Sequence, residues 1–282
     1  MSGRDMEAQA GAGRQLEVDN LSRHFGGVVA VKDVTFAVDK GSITGLIGPN
    51  GAGKTTLLNL ITGYLRPHSG HVRIGGKDLT GRRPHAVARA GVARTYQNLL
   101  LLEDEDVIEN VRIGRHLADR SMAVIPWRSR ESRDRERQVI LDLIEELELA
   151  DVATSPVASL PYGLRRRVEI ARALATEPSV LILDEPTAGM TREESDDIAS
   201  VVAGLRERGS TVLLVEHNVR LVTQICDEVL VLNWGELIGR ESADKVWDLD
   251  AVKTAYLGVT AHDEPEAPPA PEAERTSNAE RL

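Results

Sequence analysis

Residues 48 to 56 place three glycines, a lysine and two threonines in the order Gly-Pro-Asn-Gly-Ala-Gly-Lys-Thr-Thr. Glycine reaches backbone conformations that other residues avoid, so successive N–H groups of such a loop can turn towards one anion. Lys54 is long enough to reach the β- and γ-phosphates of a nucleotide, and the hydroxyl of Thr55 can coordinate Mg²⁺. We therefore expect this loop to bind a nucleoside triphosphate through the whole motif: Gly48, Pro49, Asn50, Gly51, Ala52, Gly53, Lys54, Thr55 and Thr56.

The elements around the loop have the arrangement that phosphate binding requires. The apolar run from Ile43 to Ile47 predicts a buried strand before the loop, and residues 57 to 61 predict a helix that Gly63 ends. That helix would present the positive end of its dipole to the phosphates. Strand, helix and strand patterns follow after residue 178: Val180 to Leu183, Ile198 to Leu205, and Thr211 to Val215. This alternation predicts an α/β fold with a mostly parallel sheet.

Two carboxylates, Asp184 and Glu185, follow the predicted strand Val180 to Leu183. Ligands of α/β folds bind at the carboxyl ends of the strands. Asp184 is placed to hold Mg²⁺ through water, and Glu185 suits a general base for an attacking water. An apolar run that ends in Asp-Glu is a weak signal by itself. Together with Lys54 it predicts a site that hydrolyses a nucleotide.

Composition and charge restrict the class of protein. The formal net charge of −10 at pH 7 argues against a nucleic-acid partner, because phosphate backbones are also negative. The longest apolar runs are strand-length, far short of the roughly 20 residues that a membrane helix needs. We therefore expect any membrane contact to go through a protein partner. Cys226 is the only cysteine, which excludes an intramolecular disulfide and favours a small core residue.

The order of the motifs resembles that of the ATP-binding-cassette (ABC) ATPases. Gln97 matches the glutamine loop of that family, and His217 matches its switch histidine. Phe25 matches the aromatic residue that stacks on adenine, and residues 188 to 191 stand at the D-loop. The signature sequence of the family corresponds to five consecutive residues: Leu160, Pro161, Tyr162, Gly163 and Leu164.

The resemblance covers residues 16 to 258 and implies an architecture. This is the P-loop NTPase fold of ABC ATPases, with a mostly parallel sheet core, an N-terminal antiparallel β subdomain and a helical subdomain. We place the ATPase domain at residues 15–258, with the helical subdomain inserted at about 98–176. Residues 1–14 and 259–282 are expected to be disordered tails, and the second tail is acidic and rich in proline.

The resemblance also implies roles for the matched residues. With ATP and Mg²⁺ bound, Gln97 would contact the metal and the water near the γ-phosphate, and His217 would orient that water beside Glu185. The signature would face the nucleotide of a second ATPase subunit, with the Gly163 N–H pointing at its γ-phosphate. The family pattern further implies transmembrane permease subunits, an indirectly acting solute-binding protein, and a position at the cytoplasmic face of the membrane.

Within the family, the chain looks most like the larger ATPase subunit of branched-chain amino acid importers. The features are Phe25-Gly26-Gly27 with Ala30-Val31, the Tyr-Gly signature with its arginine-rich helix, the Ala-Gly-Met D-loop, and the ending Ala255-Tyr256-Leu257-Gly258. Residues 165 to 174 and 217 to 220 resemble the lipopolysaccharide-export ATPase equally well. The alternatives are therefore an ATPase for another solute, such as urea or amides, one for lipopolysaccharide export, a regulatory module with little turnover, and a soluble cassette ATPase acting on ribosomes or DNA.

Four residues depart from the general family pattern, and one of them, Tyr162 in place of glycine, is normal for the amino acid importers. Pro161 stands where serine is usual, Leu164 where glutamine is usual, and Thr191 where the D-loop has aspartate or asparagine. The side chain of Leu164 offers no hydrogen bond to a triphosphate. We therefore expect unequal hydrolysis at the two sites of the ATPase pair.

Overall fold

The structure is a computed structural model that describes residues 13–118 and 130–257. Within these residues ten strands form two sheets: β1 (Arg14–Phe25), β2 (Val28–Asp39), β3 (Ile43–Ile47), β4 (Ser69–Ile74), β5 (Lys77–Asp78), β6 (Val92–Arg94), β7 (Val180–Asp184), β8 (Val212–Val215), β9 (Glu228–Asn233) and β10 (Glu236–Ser242). The α-helices of the same residues are α1 (Lys54–Ile61), α2 (Pro84–Arg89), α3 (Val107–Ala118), α4 (Arg130–Glu146), α5 (Tyr162–Leu174), α6 (Arg192–Glu207), α7 (Val219–Ile225) and α8 (Asp250–Leu257).

β1 starts close to the predicted start of the ATPase domain. Arg14 pairs with Asp39 at the end of β2, so the sheet begins one residue before the expected start of the domain at residue 15. Within the predicted tails, Gly13 and Arg14 are described, whereas residues 1–12 and 259–282 lie outside the described residues.

The smaller sheet is antiparallel, with the strand order β2-β1-β4-β5. Its strands alternate buried and exposed residues, as expected for a sheet with one face on the core. The predicted hairpin at residues 72 to 76 is confirmed, because Ile74 pairs with Lys77 across the turn between β4 and β5.

The larger sheet has the order β10-β9-β3-β8-β7-β6, with β9 to β6 parallel and β10 antiparallel at the edge. β3 and β8 are buried along their whole length, which explains their continuous apolar sequences. The carboxyl ends of β3, β7 and β8 lie side by side, since Leu46 pairs with Val215 and Asp184 pairs with the same residue. This sheet edge brings residue 48, residue 184 and residue 216 together.

The larger sheet is covered on both faces. In β7, Leu181 and Leu183 pack in the apolar cluster that includes α3 to α7, whereas Val180 and Ile182 pack in the cluster with α1 and the antiparallel sheet. This two-sided burial follows from the period-two alternation of a strand. The arrangement confirms the predicted α/β fold with a mostly parallel sheet and an antiparallel β layer.

Helices α3, α4 and α5 lie between β6 and β7 in the chain. The expected apolar stripe of α4 is present, because Ile140, Leu143, Ile144 and Leu147 are buried and Val139 packs partly buried against the same cluster. α3 approaches α5 closely at Gly114, where an added Cβ would lie 2.0 Å from the carbonyl oxygen of Arg172.

A candidate ATP site at the carboxyl edge of the sheet

Two glycines of the loop after β3 are required by close packing. A Cβ at Gly48 would lie 2.1 Å from the carbonyl oxygen of Leu232 in β9, and one at Gly53 would lie 2.3 Å from that of Ala30 in β2. Contacts this short are forbidden, so both positions exclude any side chain. Gly51 has a φ of 79° and no atom within 4 Å of an added Cβ, so its requirement is conformational. The loop is therefore held against two strands while its outer part stays open.

The backbone of this loop presents unused donors. Among the described residues, the N–H groups of Asn50, Gly51 and residues 53 to 56 donate to no protein acceptor, while Ala52 donates to the Pro49 carbonyl. α1 begins at Lys54 with no acidic residue in its first turn. Unpaired N–H groups at a helix N-terminus form an anion site. The cradle therefore fits a polyphosphate.

Lys54 is buried within this cradle. Its ammonium donates to the carbonyl oxygens of Gly48 at 2.6 Å and Pro49 at 3.2 Å. Burial lowers the pKa of Lys54, and the nearby carboxylates of Glu185 and Asp184 partly oppose this shift. Those two carboxylates therefore lie close enough to Lys54 to act on its charge. Thr55 is exposed beside them, on the first turn of α1.

Asp184 is ion-paired with Arg94, a residue that the sequence analysis did not select. The Arg94 Nη2 to Asp184 Oδ2 distance is 2.7 Å, and both side chains are largely buried. Arg94 Nη1 also donates to Asn59 Oδ1 at 2.8 Å, so the guanidinium joins α1 to the end of β7. Asp184 Oδ1 has no partner among the described side chains and can still serve a hydrated Mg²⁺ ion. The sequence gives no direct signal for this partner, because burial and the neighbourhood of β6 and β7 are set by the fold.

Gln97 and Glu185 are brought into contact although 88 residues separate them. Gln97 Nε2 donates to Glu185 Oε2 over 3.1 Å. Glu185 has a left-handed φ of 47°, which is uncommon for a residue with a side chain. This conformation turns the chain sharply after β7, and the Ala188 N–H closes the turn on the Glu185 carbonyl. The structure thus places the expected base and the expected glutamine side by side.

His217 lies at the same edge, after β8, with its ring exposed. Its imidazole has no hydrogen-bond partner within the described part of the chain. The preceding residue, Glu216, is fully buried and was also missed in the sequence. Its carboxylate accepts from the Thr187 N–H at 3.0 Å, the Thr187 hydroxyl at 2.8 Å and the His217 N–H at 3.2 Å. Glu216 therefore ties the turn after Glu185 to the backbone of the histidine.

The signature residues form the start of α5. Pro161 is the N-cap residue, and no side chain caps this end. Gly163 is open, with only the Glu194 carboxylate 4.0 Å from an added Cβ. Tyr162 is 38% exposed, whereas Leu160 is buried and Leu164 packs partly buried against the larger apolar cluster. The first turn can therefore present N–H groups to an anion outside the chain, while Leu164 also serves the core.

The local structure explains why a threonine stands at position 191. It caps α6 in a capping box, in which its side chain accepts from the Glu194 N–H and the Glu194 carboxylate accepts from the Thr191 N–H. Threonine is a favoured residue for this role. Thr191 therefore departs from the family pattern but still caps the helix that follows the D-loop.

Phe25 lies at the end of β1 and is 44% exposed. The guanidinium of Arg23 lies over its ring, 4.8 Å from the centroid. An exposed aromatic face of this kind is suited to stacking on a base.

Comparison with known proteins decides the family. The family model described as ABC transporter matches residues 31–188, which is more than half of the chain. The chain belongs to the ABC transporter family of ATPases. The matched region contains the loop at residues 48 to 56, Gln97, the signature and the pair Asp184 and Glu185.

Individual relatives agree with this assignment. The ATPase is 39% identical to the high-affinity branched-chain amino acid transport ATP-binding protein BraF of Pseudomonas aeruginosa, over 86% of this chain and 97% of that protein. It is 34% identical to the lipopolysaccharide export system ATP-binding protein LptB of Haemophilus influenzae, again over 86% and 97%. Among solved structures, the ADP conformation of an ATP-binding cassette of an ABC transporter matches with a TM-score of 0.76 and 30% identity, covering 87% of this chain and 99% of that one.

The ATPase resembles the importer proteins more than the exporter, so the alternative solutes and the regulatory module are not favoured. None of the helices formed by residues 13–118 and 130–257 has the length and apolar composition needed to cross a membrane.

Proposed function

We propose that this ATPase hydrolyses ATP to power the import of branched-chain amino acids through separate permease subunits. The observation that supports it most is the similarity to BraF over nearly the full length of that protein, together with Lys54, Asp184 and Glu185 at one site. The complete transporter also contains a second ATPase subunit and the permease, and a solute-binding protein acts on it indirectly. In this arrangement the ATPase lies at the cytoplasmic face of the membrane.

Different residues bind the phosphates, the adenine and the Mg²⁺ ion of the nucleotide. The loop N–H groups and Lys54 bind the β- and γ-phosphates, and Phe25 stacks on the adenine. Thr55, Asp184 and Gln97 would hold Mg²⁺, whose charge offsets that of the phosphates. The donors fit this ion because hydroxyl, carboxylate and amide oxygens are its preferred ligands.

Glu185 takes the proton of the attacking water as general base. Gln97 holds the carboxylate of Glu185 through the 3.1 Å hydrogen bond and so orients it. His217, which follows the neighbouring strand β8, orients the attacking water beside Glu185. Its backbone N–H is held by the Glu216 carboxylate. The Gly163 end of α5 serves the nucleotide of the second subunit, where its open N–H groups stabilise the γ-phosphate.

A basic surface beside the Gln97 loop supports the contact with a permease. From Lys40 to Leu102 the chain has nine lysines and arginines and a single acid, Asp78; two of the nine, Lys54 and Arg94, are buried at the phosphate site and do not belong to this surface. Arg82 and Arg83 are exposed there and form no ion pair with any described side chain. This region adjoins the loop, since the Arg82 carbonyl packs on Gly63, and the next residue, Tyr64, contacts Tyr96 hydroxyl to hydroxyl at 2.7 Å. We expect it to receive an acidic permease segment.

The test is transport by the reconstituted complex. The ATPase is co-purified with its membrane subunits, and uptake of labelled leucine, isoleucine and valine into vesicles is measured with and without ATP. ATP-dependent uptake that stops in Glu185→Gln supports the proposal. A complex that hydrolyses ATP and takes up none of the three amino acids would reject the solute assignment.

A further inference from the structure

The loop that carries Gln97 is held by side chains of α5. Among the described residues, 95 to 105 form neither helix nor strand. Arg166 Nη1 donates to the Tyr96 carbonyl at 2.8 Å, and Nη2 donates to the Gln97 carbonyl at 3.2 Å. Further along the loop, Arg172 donates to the Leu100 carbonyl, and Arg165 pairs with Glu103. The loop is thus attached to the signature helix along its length.

Arg166 is fully buried, with a relative exposure of 0%, and its partner Glu169 is 2% exposed. Their Nη1 to Oε2 distance is 2.6 Å, and Glu169 Oε1 accepts from the Tyr96 N–H at 3.3 Å. The pair therefore holds both the N–H and the C=O of Tyr96. Burial raises the pKa of Glu169, and the charge of Arg166 opposes that shift.

A buried ion pair is a poor device for stability, because desolvation costs about as much as the attraction returns. Arg166 also makes a contact with the first turn of α5 that the stability of the fold does not require. Arg166 Nη2 lies 3.1 Å from the hydroxyl of Tyr162, the first residue of α5. One guanidinium therefore contacts the backbone of Gln97 and the first turn of the signature helix, while the Gln97 side chain contacts Glu185.

We propose that Arg166 and Glu169 are positioning residues that make the Gln97 loop and the N-terminus of α5 move as one unit. Nucleotide and Mg²⁺ that bind at the Lys54 site engage the Gln97 side chain, and the buried pair transmits the resulting shift of the loop to Gly163, which serves the other nucleotide of the ATPase pair. The inference rests on the proposed function, since it needs two sites that communicate. It assigns the communication within one chain to a specific ion pair.

The experiment compares hydrogen exchange in the full-length chain with and without Mg²⁺ and a non-hydrolysable ATP analogue. Peptides covering residues 48–58 report nucleotide binding, and peptides covering residues 160–166 report the state of the signature turn. In the native chain we expect the analogue to protect both regions. The double variant Arg166→Met/Glu169→Leu replaces the pair by apolar groups of similar volume, which proteins commonly tolerate. In it we expect protection at 48–58 to remain and protection at 160–166 to be lost.

Two further variants separate coupling from structure. Arg166→Lys keeps a charge for Glu169 but has no planar fork to span two carbonyls, so it should also lose the protection at 160–166. The control Arg220→Gln/Asp196→Asn removes a half-exposed pair, in which Arg220 Nη2 contacts both carboxylate oxygens of Asp196, and should behave as the native chain.

Other results of the exchange experiment would contradict either the coupling role of the pair or the proposed ATPase function. Protection at 160–166 that persists in both Arg166 variants, or that is absent from the native chain, overturns the coupling role. Loss of protection at 48–58 in both variants also overturns it, because the pair would then serve the binding site itself. Failure of the native chain to show protection at 48–58 would instead contradict the proposed ATPase function.

Discussion

The amide of Gln97 donates to the carboxylate of Glu185 across 3.1 Å, which joins the loop after β6 to the end of β7. This contact makes Glu185→Gln a clean test of the general base. The glutamine oxygen can still accept from Gln97, whereas it cannot take a proton from water. We expect the rate of phosphate release from the assembled complex to fall by roughly 10²- to 10⁴-fold, with ATP affinity retained. Glu193→Gln, an exposed carboxylate of α6, serves as control. Normal turnover in Glu185→Gln would show that another group takes the proton.

The Arg94–Asp184 pair predicts a large stability effect. Arg94→Gln leaves Asp184 as a largely buried carboxylate without its partner, which typically costs about 3–5 kcal/mol of unfolding free energy. Urea unfolding measures this cost. The matched control is Arg220→Gln, whose pair with Asp196 is about half exposed, and a loss below about 1 kcal/mol is expected there. Equal losses in the two variants would contradict the structural role of Arg94.

Gly53 predicts a substitution that fails for steric reasons. Gly53→Ala would place a Cβ 2.3 Å from the Ala30 carbonyl oxygen, so the loop must shift and lose its phosphate cradle. We expect nucleotide binding, measured by isothermal titration, to be lost. Gly209→Ala is the control, because Gly209 has a φ of 73° but open space around an added Cβ. It should cost only about 1 kcal/mol of stability and leave binding intact. Normal binding by Gly53→Ala would mean that the loop adapts.

Leu164 and Pro161 are best tested separately. Leu164 packs partly buried on the apolar cluster, so Leu164→Gln should lower the free energy of unfolding by about 1–3 kcal/mol while it adds a donor near the second nucleotide. Pro161→Ser affects an exposed N-cap position and should raise stability through capping by about 1 kcal/mol. Both changes should raise ATP hydrolysis only at the site that uses the phosphate loop of the second subunit. Complexes in which one site alone can hydrolyse give the comparison, and equal effects at both sites would remove the support for asymmetry.

The basic surface predicts a charge effect on coupling. Arg82→Glu/Arg83→Glu should weaken co-purification with the permease and its stimulation of ATP hydrolysis, whereas the ATPase activity of the isolated subunit stays unchanged. Raising the salt concentration should have the same effect on the unmodified complex, since exposed charges are screened over about 10 Å at 0.1 M. Lys245→Glu changes an exposed lysine outside this surface and serves as control. Unaltered co-purification of the arginine variant would assign the permease contact to another surface.

The sequence by itself determined the phosphate loop, the strand that ends in Asp184 and Glu185, and the family. These features are local, because a run of consecutive residues specifies the strand, the turn and the helix that bind phosphate. The same holds for the stripe of α4 and the parallel sheet, which follow from periodicity. The proposed roles of Gln97, His217 and the signature came from family resemblance.

Only the tertiary structure decided how distant residues combine. Arg94 and Asp184 are 90 residues apart, and their pairing depends on β6 lying next to β7. Glu216 and Arg166 look like ordinary charged residues in the sequence, since burial and hydrogen-bond partners are absent from a linear pattern. The side chain of Leu164 likewise turns out to pack on the core, because its position on α5 faces the apolar cluster. Such contacts arise from the packing of whole elements, which no local motif encodes.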